Sequence, residues 1–309
     1  MFDRLFLLIK SNLSFNKNKR KQIRKQLFQE YVNKKLNQTK WGVSYSVFNG
    51  FELLESSILS IRDSVDYVNV VYQTKSWYGD DADPELLPTL NKLKDKGLID
   101  ELILYTGSSE IDKRNVGLKA ARKAGVNYFM TLDCDEFFIK EEVEKAKKEI
   151  IRHRFTHTFV PVVNYHIKPE YRSLKPNICI PFFSKLYWFS KIVKPGRIYP
   201  CVIDPTRPLN IFVIKFFDIQ LFRFDRTIVF TFFYMHHMTT VRKDLCGKFK
   251  NYPNLYKEFK VDKNNLKVDE LCFNDYVISD LKKIISTIED KEPIKYDIIK
   301  VKNIFNIKF

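Results

Sequence analysis

The chain has 309 residues, of which 45% are hydrophobic and 15% aromatic, and its formal net charge is +16. This composition is too apolar for a disordered protein and can supply one sizeable core, so we predict a single domain of catalytic size with appendages. Its five cysteines are scattered without a C-x-x-C pair, which argues against a disulfide framework or a zinc-cysteine site and favours a reducing compartment.

The excess positive charge is concentrated at the start of the chain. Residues 1–40 contain eleven Lys or Arg and two acidic residues, a net charge of +9. This basic arm predicts an anionic partner such as membrane headgroups, nucleic acid or an acidic polymer, although a solvated helix face has the same composition. The opening MFDRLFLLIK is too short for a transmembrane helix and lacks a small-residue cleavage site. We therefore expect a cytoplasmic protein, peripheral on the inner face of a membrane if the arm binds there.

Apolar strands and amphipathic helices alternate between residues 41 and 140. WGVSYSVF predicts a strand, and GFELLESSILSIRDS has the apolar spacing of a helix. DYVNVVYQ predicts a second strand, and PELLPTLNKLKDKG predicts a helix between Asp83 as N-cap and Gly97 as stop. LIDELILY, EIDKRNVGLKAARKAG and VNYFMTL then predict a strand, a helix and a strand. Four strands interleaved with three helices predict an α/β fold with a parallel, Rossmann-like sheet and right-handed crossovers.

The second half of the chain has a less regular pattern. EEVEKAKKEIIRHR predicts a charged helix and FTHTFVPVVNYHI a strand, whereas residues 170–235 are aromatic and interrupted by proline. Residues 211–238 could form antiparallel strands or an interfacial surface, and VISDLKKIISTIEDK predicts a late amphipathic helix. We divide the chain into a basic arm (1–40), a domain with a regular half (41–140) and a less regular half (141–250), and a helical C-terminal extension (251–309).

NYFMTLDCDEFF places three carboxylates at the end of the fourth predicted strand. Ligands of open parallel sheets bind at the carboxyl ends of the strands. Residues two apart in an extended segment face the same side, so Asp133 and Asp135 would face one ligand while Cys134 packs inside. The sequence has neither of the usual phosphate-binding loops, G-x-x-x-x-G-K-[ST] and G-x-G-x-x-G. If the sheet binds a nucleotide, a divalent cation on Asp135, and also on Asp133, would neutralise its phosphates instead. The other Asp-x-Asp, Asp81 and Asp83, suits a helix N-terminus instead.

KRNVGLKAARKAGVNYFMTLDCDEF resembles the segment that leads into the Asp-x-Asp motif of family 2 and related glycosyltransferases of GT-A fold. VFNGFELLESSILSI resembles their first strand, turn and helix. The resemblance implies that residues 41–140 bind a nucleotide-sugar and residues 141–250 the acceptor, with Asp133 on the nucleoside and Asp135 on the metal and diphosphate. It also implies donor-pocket roles for four further side chains: Arg114 and Asn115 in the wall, Asn49 beside the nucleobase, and Gln73 as a base contact in place of the family's acidic residue.

MHHMTTVRKDLCGKFKNY resembles a later segment of bacterial relatives, in which a histidine completes the metal site. The spacing to the following Val-Arg pair selects His237 over His236, and imidazole is an acceptable ligand of Mn²⁺. Arg242, together with Lys243 and Lys248, could neutralise the departing diphosphate or form an exposed helix face.

These features predict a glycosyltransferase that depends on Mn²⁺ or Mg²⁺ and moves a sugar from a nucleotide-sugar to an acceptor hydroxyl in bacterial surface polysaccharide or glycolipid synthesis. The resemblance implies an inverting reaction with a carboxylate base, for which Asp204 is the first candidate and Asp225 the alternative. Two other classes stay open: a nucleotidyltransferase on the same carboxylates, and a non-enzymatic protein that binds nucleic acid or another polyanion. Residues 41–140 are not basic and contain no nucleic-acid-binding motif, so no nucleic acid partner is expected.

Overall fold

The computed structural model describes residues 17–48, 50–76, 79–176, 178–194, 203–210, 213–216, 219–223, 226–238, 240–242 and 298–308. These contain five α-helices: α1 (Lys17–Gln38), α2 (Leu54–Ile61), α3 (Leu86–Asp95), α4 (Glu110–Lys123) and α5 (Lys140–His153). Short 3-10 helices, Phe51–Leu53 and Arg62–Ser64, flank α2. Among the helices described, none combines the length and the apolar character that a membrane span needs.

Fourteen strands occur in the described residues. Those of the regular half are β1 (Trp41–Val47), β2 (Tyr67–Tyr72), β3 (Glu101–Leu104), β4 (Tyr128–Asp133) and β5 (Glu136–Phe137). The remainder are β6 (His157–His166), β7 (Lys168–Ser173), β8 (Cys179–Pro181), β9 (Ser184–Lys185), β10 (Val213–Phe216), β11 (Ile219–Arg223), β12 (Thr227–Val229), β13 (Met235–His237) and β14 (Ile298–Lys300).

The predicted parallel sheet is confirmed. Its strand order is β3-β2-β1-β4-β9, in which the first four strands are parallel and β9 is antiparallel to β4. Alternate residues of β1, namely Val43, Tyr45 and Val47, are fully buried in the core that α2, α3 and α5 share. Helix α4 packs on the other face, where Leu118 and Ala121 join a second core. The chain is thus of the α/β class, with helices on both faces of a mostly parallel sheet.

Helix α4 lies unusually close to the sheet. A Cβ at Gly117 would overlap the hydroxyl of Ser44 in β1, and the carbonyl of Gly117 accepts a hydrogen bond of 2.9 Å from the Asn69 amide in β2. Only glycine permits this approach. The close contact places the first turns of α4, including Lys113 and Arg114, at the carboxyl ends of β1 and β4.

A second sheet joins the two halves of the chain, with the order β14-β7-β6-β13-β5 and with β8 and β12 also paired to β6. Strand β13 lies between β5 and β6, so that His237 is opposite Glu136 on one side and Asn164 on the other. Strands β10 and β11 form an antiparallel pair, as one of the two predictions for residues 211–238 required. The second sheet therefore fastens residues from the end of the chain onto the turn after β4.

The described end of the predicted helical extension is not helical. Strand β14 pairs antiparallel with β7, and the Phe305 ring packs 5.0 Å from that of Phe137 and 5.1 Å from that of His236. Alternating apolar residues in this segment gain more from burial against the second sheet than from a solvated helix. The amphipathic helix predicted over residues 277–291 lies outside the described residues.

Candidate active site

Three carboxylates lie at the end of β4 and just after it and form what we call the carboxylate cluster: Asp133, Asp135 and Glu136. The chain turns at residues 134 and 135, and the Asp133 amide donates a 2.9 Å hydrogen bond to the Glu136 carboxylate. Asp133 remains one-third exposed, at 33%, whereas Asp135 and Glu136 are buried. The turn breaks the extended geometry behind our prediction, so Asp133 and Asp135 reach different partners. Cys134 packs in the core as predicted.

Arg207 is the central partner of the cluster. Its guanidinium donates to Asp133 at 2.6 Å, to the two oxygens of Glu136 at 2.6 and 2.7 Å, and to Asp204 at 2.7 Å. The side chain is buried. Burial alone would lower the pKa of Arg207, but these carboxylates hold its pKa well above the ordinary value. Arg207 thus carries a permanent positive charge within the protein.

Sequence reasoning did not find Arg207. It lies in YPCVIDPTRPLN, a segment without periodicity, and 71 residues separate it from Glu136. The sequence shows only that Arg207 lies between two prolines and three residues after Asp204. Such a residue is normally a surface cation.

Arg114, to which the resemblance gives a place in the donor pocket, reaches the cluster from α4. It donates to Asp133 at 3.0 Å and to Glu110, one turn earlier, at 2.6 Å. The side chain is almost fully buried, and within the described residues its Nη1 has no hydrogen-bond partner. A buried guanidinium N–H without an acceptor costs free energy that an anionic ligand atom would recover.

Asn115 does not face the cluster. Its amide donates to the carbonyls of Ile192 and Ile111, both at 2.9 Å, and accepts from the Ile192 amide at 2.8 Å. Neighbouring residues on a helix point in different directions, so Arg114 and Asn115 serve different parts of the molecule. The donor-pocket role predicted for Asn115 does not match this placement, because the side chain is used to hold residue 192 against α4.

Asp135 lies on the opposite side of the turn, between Arg242 and His237. Arg242 donates a hydrogen bond to Asp135, and the carboxylates and thiol nearby raise the pKa of Arg242 despite its burial. The guanidinium packs on Gly50, which adopts φ +74° and where a Cβ would overlap it. His237 Nε2 is 3.5 Å from the same carboxylate oxygen. His237, the histidine selected from the sequence, is therefore beside Asp135, and its role as a metal ligand stays a prediction.

The tautomer of His237 decides what it offers to Asp135. Its Nδ1 is 3.1 Å from the Asn164 side-chain oxygen, which only accepts, so Nδ1 donates to Asn164 and Nε2 is left to face Asp135. With its Nε2 unprotonated, His237 would offer a nitrogen ligand beside the Asp135 carboxylate, and a divalent cation would fit between the two. One carboxylate oxygen and one imidazole nitrogen are donors that Mn²⁺ accepts.

The predicted set of three metal ligands is not assembled. Among the described residues no three His, Cys, Asp or Glu side chains converge as ligands of one ion. Asp133 is held by Arg114 and Arg207 and is not beside His237. His236 points away from the cluster, with Nδ1 2.9 Å from the Tyr165 hydroxyl, and burial lowers its pKa to about 4.

The remaining predicted residues lie around this edge of the sheet. A cavity of about 250 Å³ opens at the carboxyl ends of β2 and β3, lined by Gln73, Thr74, Lys75, Ser76, Tyr105, Thr106, Gly107 and Ser108. The Gln73 amide donates to the Gly107 carbonyl at 3.2 Å. Lys113 donates to the Val47 carbonyl at the end of β1, and burial lowers its pKa to about 8. Asn49, Lys243, Lys248 and Asp225 lie outside the described residues.

Asp204 lies beside the cluster but is already engaged. One oxygen accepts from the amide and hydroxyl of Thr206 at 2.9 and 2.8 Å, and the other accepts from Arg207. Although burial opposes it, the charges of Arg207 and Arg114 hold the pKa of Asp204 below its ordinary value. In this arrangement Asp204 is a weak proton acceptor.

The second Asp-x-Asp is remote from the cluster. Asp81 makes an exposed ion pair of 3.6 Å with Lys75, and the Asp83 carboxylate accepts from the Glu85 amide at 2.8 Å. Helix α3 begins at Leu86, so Asp83 caps the turn that precedes the helix and is not its N-cap. Of the predicted pair, only Asp83 therefore serves the start of the helix, two residues before the N-cap Glu85, whereas Asp81 pairs with Lys75.

Comparisons with solved structures return glycosyltransferases at low identity. S. aureus TarS matches with 14% identity over 75% of this chain and 41% of its own, at a TM-score of 0.39. TarS residues 1–349 in complex with UDP-GlcNAc match with 18% identity over 41% and 35%, at a TM-score of 0.30. GalNAc-T7 with UDP, GalNAc and Mn²⁺ matches with 14% identity over 41% and 24%, at a TM-score of 0.34.

The matched part thus spans less than half the length of each of these proteins. No protein-family model and no curated protein sequence matches the chain. The structural matches are to glycosyltransferases of GT-A type, the class that the sequence resembles.

Proposed function

We propose that the chain is a glycosyltransferase of GT-A type that transfers a sugar from a nucleotide-sugar to an acceptor hydroxyl. The observation that carries the proposal is the position of the carboxylate cluster. In the order β3-β2-β1-β4, the chain winds outwards from β1 in both directions, so β1 and β4 flank the topological switch point. Ligands of open α/β sheets bind in the crevice at that point, and Asp133 is paired there with Ser46 of β1.

The side chains at the crevice suit a diphosphate. Lys113 covers the end of β1, and Arg114 offers a buried N–H that has no acceptor within the described residues. Arg242, on the other side of the turn, is the cation that the sequence predicts for the leaving diphosphate. Preorganised cations at these positions would stabilise negative charge that develops when the sugar–phosphate bond breaks. The cavity beside Gln73 adjoins the ends of β2 and β3 and is the proposed place of the nucleobase.

A divalent cation fits one side of the cluster. Asp135 and His237 would hold it, since the carboxylate oxygen and Nε2 lie 3.5 Å apart on the same side of the turn. The ion would neutralise the diphosphate as a Lewis acid. Asp133, held by two guanidiniums, then serves the nucleoside side, as the resemblance implies. Mn²⁺ suits the mixed oxygen and nitrogen donors better than Mg²⁺ does.

The base for an inverting reaction has two candidates from the sequence. Asp204 is next to the cluster, and it would accept a proton from the acceptor hydroxyl only after Arg207 moves off its carboxylate. Asp225 remains the alternative. The proposed acceptor is a surface polysaccharide or glycolipid in a bacterium.

The test is a panel of nucleotide-sugars incubated with the full-length protein and Mn²⁺, with nucleoside diphosphate release as the readout. We expect release from at least one donor, and loss of that release in Asp135→Asn. Asp81→Asn is the matched control, because it alters an exposed member of the other Asp-x-Asp. Release of pyrophosphate from a nucleoside triphosphate and a sugar phosphate would instead indicate a nucleotidyltransferase. Absence of any nucleotide turnover would contradict the proposal.

A further inference from the structure

We infer that the turn formed by residues 187–190, which we call the aromatic turn, is a contact site for an anionic lipid bilayer. Its central residue, Trp188, is 84% exposed. Tryptophan has a large apolar ring and is seldom left in water to this extent. The rings of Tyr187 and Phe189 stack on each other at 5.3 Å with an interplanar angle of 2°, and Trp188 lies edge-on to Phe189 at 5.4 Å.

The aromatic turn is held rigidly. The Tyr187 amide donates to the Ser190 hydroxyl at 2.9 Å, and the Ser190 amide donates back to the Tyr187 carbonyl at 3.1 Å. Asn210 accepts from the Lys191 amide at 2.7 Å and donates to the Phe189 carbonyl at 3.4 Å. Because the backbone is fixed on both sides, Trp188 is presented outward at little further cost in conformational entropy.

The aromatic turn belongs to a cationic part of the chain. Two segments that contact each other form it, residues 119–128 and 184–194, joined by the donation of Arg122 to the Ser190 carbonyl and by strand pairing. They contain no Asp or Glu and six cations: Lys119, Arg122, Lys123, Lys185, Lys191 and Lys194. Sugar sites normally include carboxylates or amides that accept from hydroxyls, whereas exposed tryptophan among lysines is typical of a membrane interface. Charge complementarity therefore favours anionic lipid.

The basic helix α1 ends at the same edge of the sheet. Lys40, which follows α1, donates through its backbone amide to the Asn127 side chain and through its ammonium to the Ala124 carbonyl, both at 2.8 Å. The Asn127 carbonyl accepts from the Leu186 amide at 2.8 Å, one residue before the aromatic turn. The end of α1 and the aromatic turn therefore meet at Asn127, at the amino end of β4.

This placement has a consequence for orientation. The carboxylate cluster is at the other end of β4, and a strand of six residues spans about 20 Å. A bilayer that contacts the aromatic turn would leave the cluster facing away from the lipid surface. The acceptor would then be the part of a lipid-anchored or soluble molecule that extends into water.

The test uses the full-length protein with vesicles of phosphatidylcholine alone or of phosphatidylcholine with phosphatidylglycerol, which differ in their attraction for Lys and Arg. We expect binding to the anionic vesicles alone. Trp188→Ala should lower the partition coefficient about tenfold, and the double variant Lys123→Glu/Lys191→Glu should lower it further. Leu59→Ala is the matched control, because Leu59 is 57% exposed on α2 and lies outside these segments.

Two results would overturn the inference. One is that Trp188→Ala and the charge-reversal variant both bind vesicles as strongly as the wild type does. The other is absence of vesicle binding by the wild type, including the case in which it binds a soluble anionic polysaccharide instead. Trp188 is exposed and its ring is not part of the core, so unfolding of Trp188→Ala is not expected; an unchanged circular dichroism spectrum and melting temperature check this.

Discussion

Removal of the Arg207 guanidinium tests the arrangement of the candidate site most directly. In Arg207→Ala, Glu136, which is 1% exposed, would keep only the Asp133 amide as a donor among the contacts described, and Asp204 would lose its cation. Removing one partner of a buried ion pair costs about 3–5 kcal/mol, because the other charge stays buried without compensation. The lost pair with Asp133 adds less to this loss of stability, because Asp133 is 33% exposed and solvent screens its charge.

Urea denaturation at pH 7 measures the effect. Arg62→Ala is the control, because Arg62 makes a single partly exposed ion pair of 3.2 Å with Asp100 and should cost at most about 1 kcal/mol. The double variant Arg207→Met/Glu136→Gln should recover part of the loss, because it removes the uncompensated charge. Equal free energies of unfolding for Arg207→Ala and Arg62→Ala would refute the reasoning.

The pH dependence of the same variant gives a second measurement. Although burial opposes it, Arg207 holds the pKa of Asp204 below its ordinary value. This contribution to stability is present above the unfolded pKa, about 4, and is lost as the pH falls through the lower folded pKa. The difference between wild type and Arg207→Ala should therefore shrink in acid. A difference that grows below pH 4 would show that Asp204 is not stabilised by Arg207.

Three further predictions concern the metal, a buried histidine and the arm. Asp135→Asn and His237→Ala should each weaken Mn²⁺ binding at least about tenfold by electron paramagnetic resonance, whereas Asp81→Asn should leave it unchanged; equal affinity in all three would contradict the proposed ligands. Burial lowers the pKa of His236 to about 4, compared with about 6.5 in the unfolded chain. The folded protein therefore resists protonation of His236 in this range. Its free energy of unfolding should fall by about 1–3 kcal/mol as the pH is lowered from 6.5 to 4. A pH profile of unfolding that is the same in His236→Gln would argue against this assignment. A protein lacking residues 1–38 should bind anionic vesicles more weakly and retain sugar transfer; full vesicle binding would leave the arm as a solvated helix.

The local sequence was enough to predict the regular half of the fold. The alternating apolar residues of β1, the continuous apolar run of β4 and the helical apolar spacing of α2 are visible within short windows, because secondary structure follows from which side chains must be buried together. Parallel strands then require crossovers of one hand. The sequence alone therefore predicted that Asp133 and Asp135 lie at the carboxyl edge of the sheet. Arg114 was named instead through the resemblance of its segment to GT-A glycosyltransferases.

Only the tertiary structure decided which charges meet. Arg207 contacts Glu136 from a segment without periodicity. The position of its guanidinium depends on how the loop that carries it packs. Asn115 is turned away from the cluster by the rotation of a helix that a close contact at Gly117 fixes. The sequence selected His237 over His236, but its contact with Asp135 exists only because β13 pairs between β5 and β6, about 70 to 100 residues earlier in the chain. Such contacts depend on long-range geometry, and no local window of a sequence contains it.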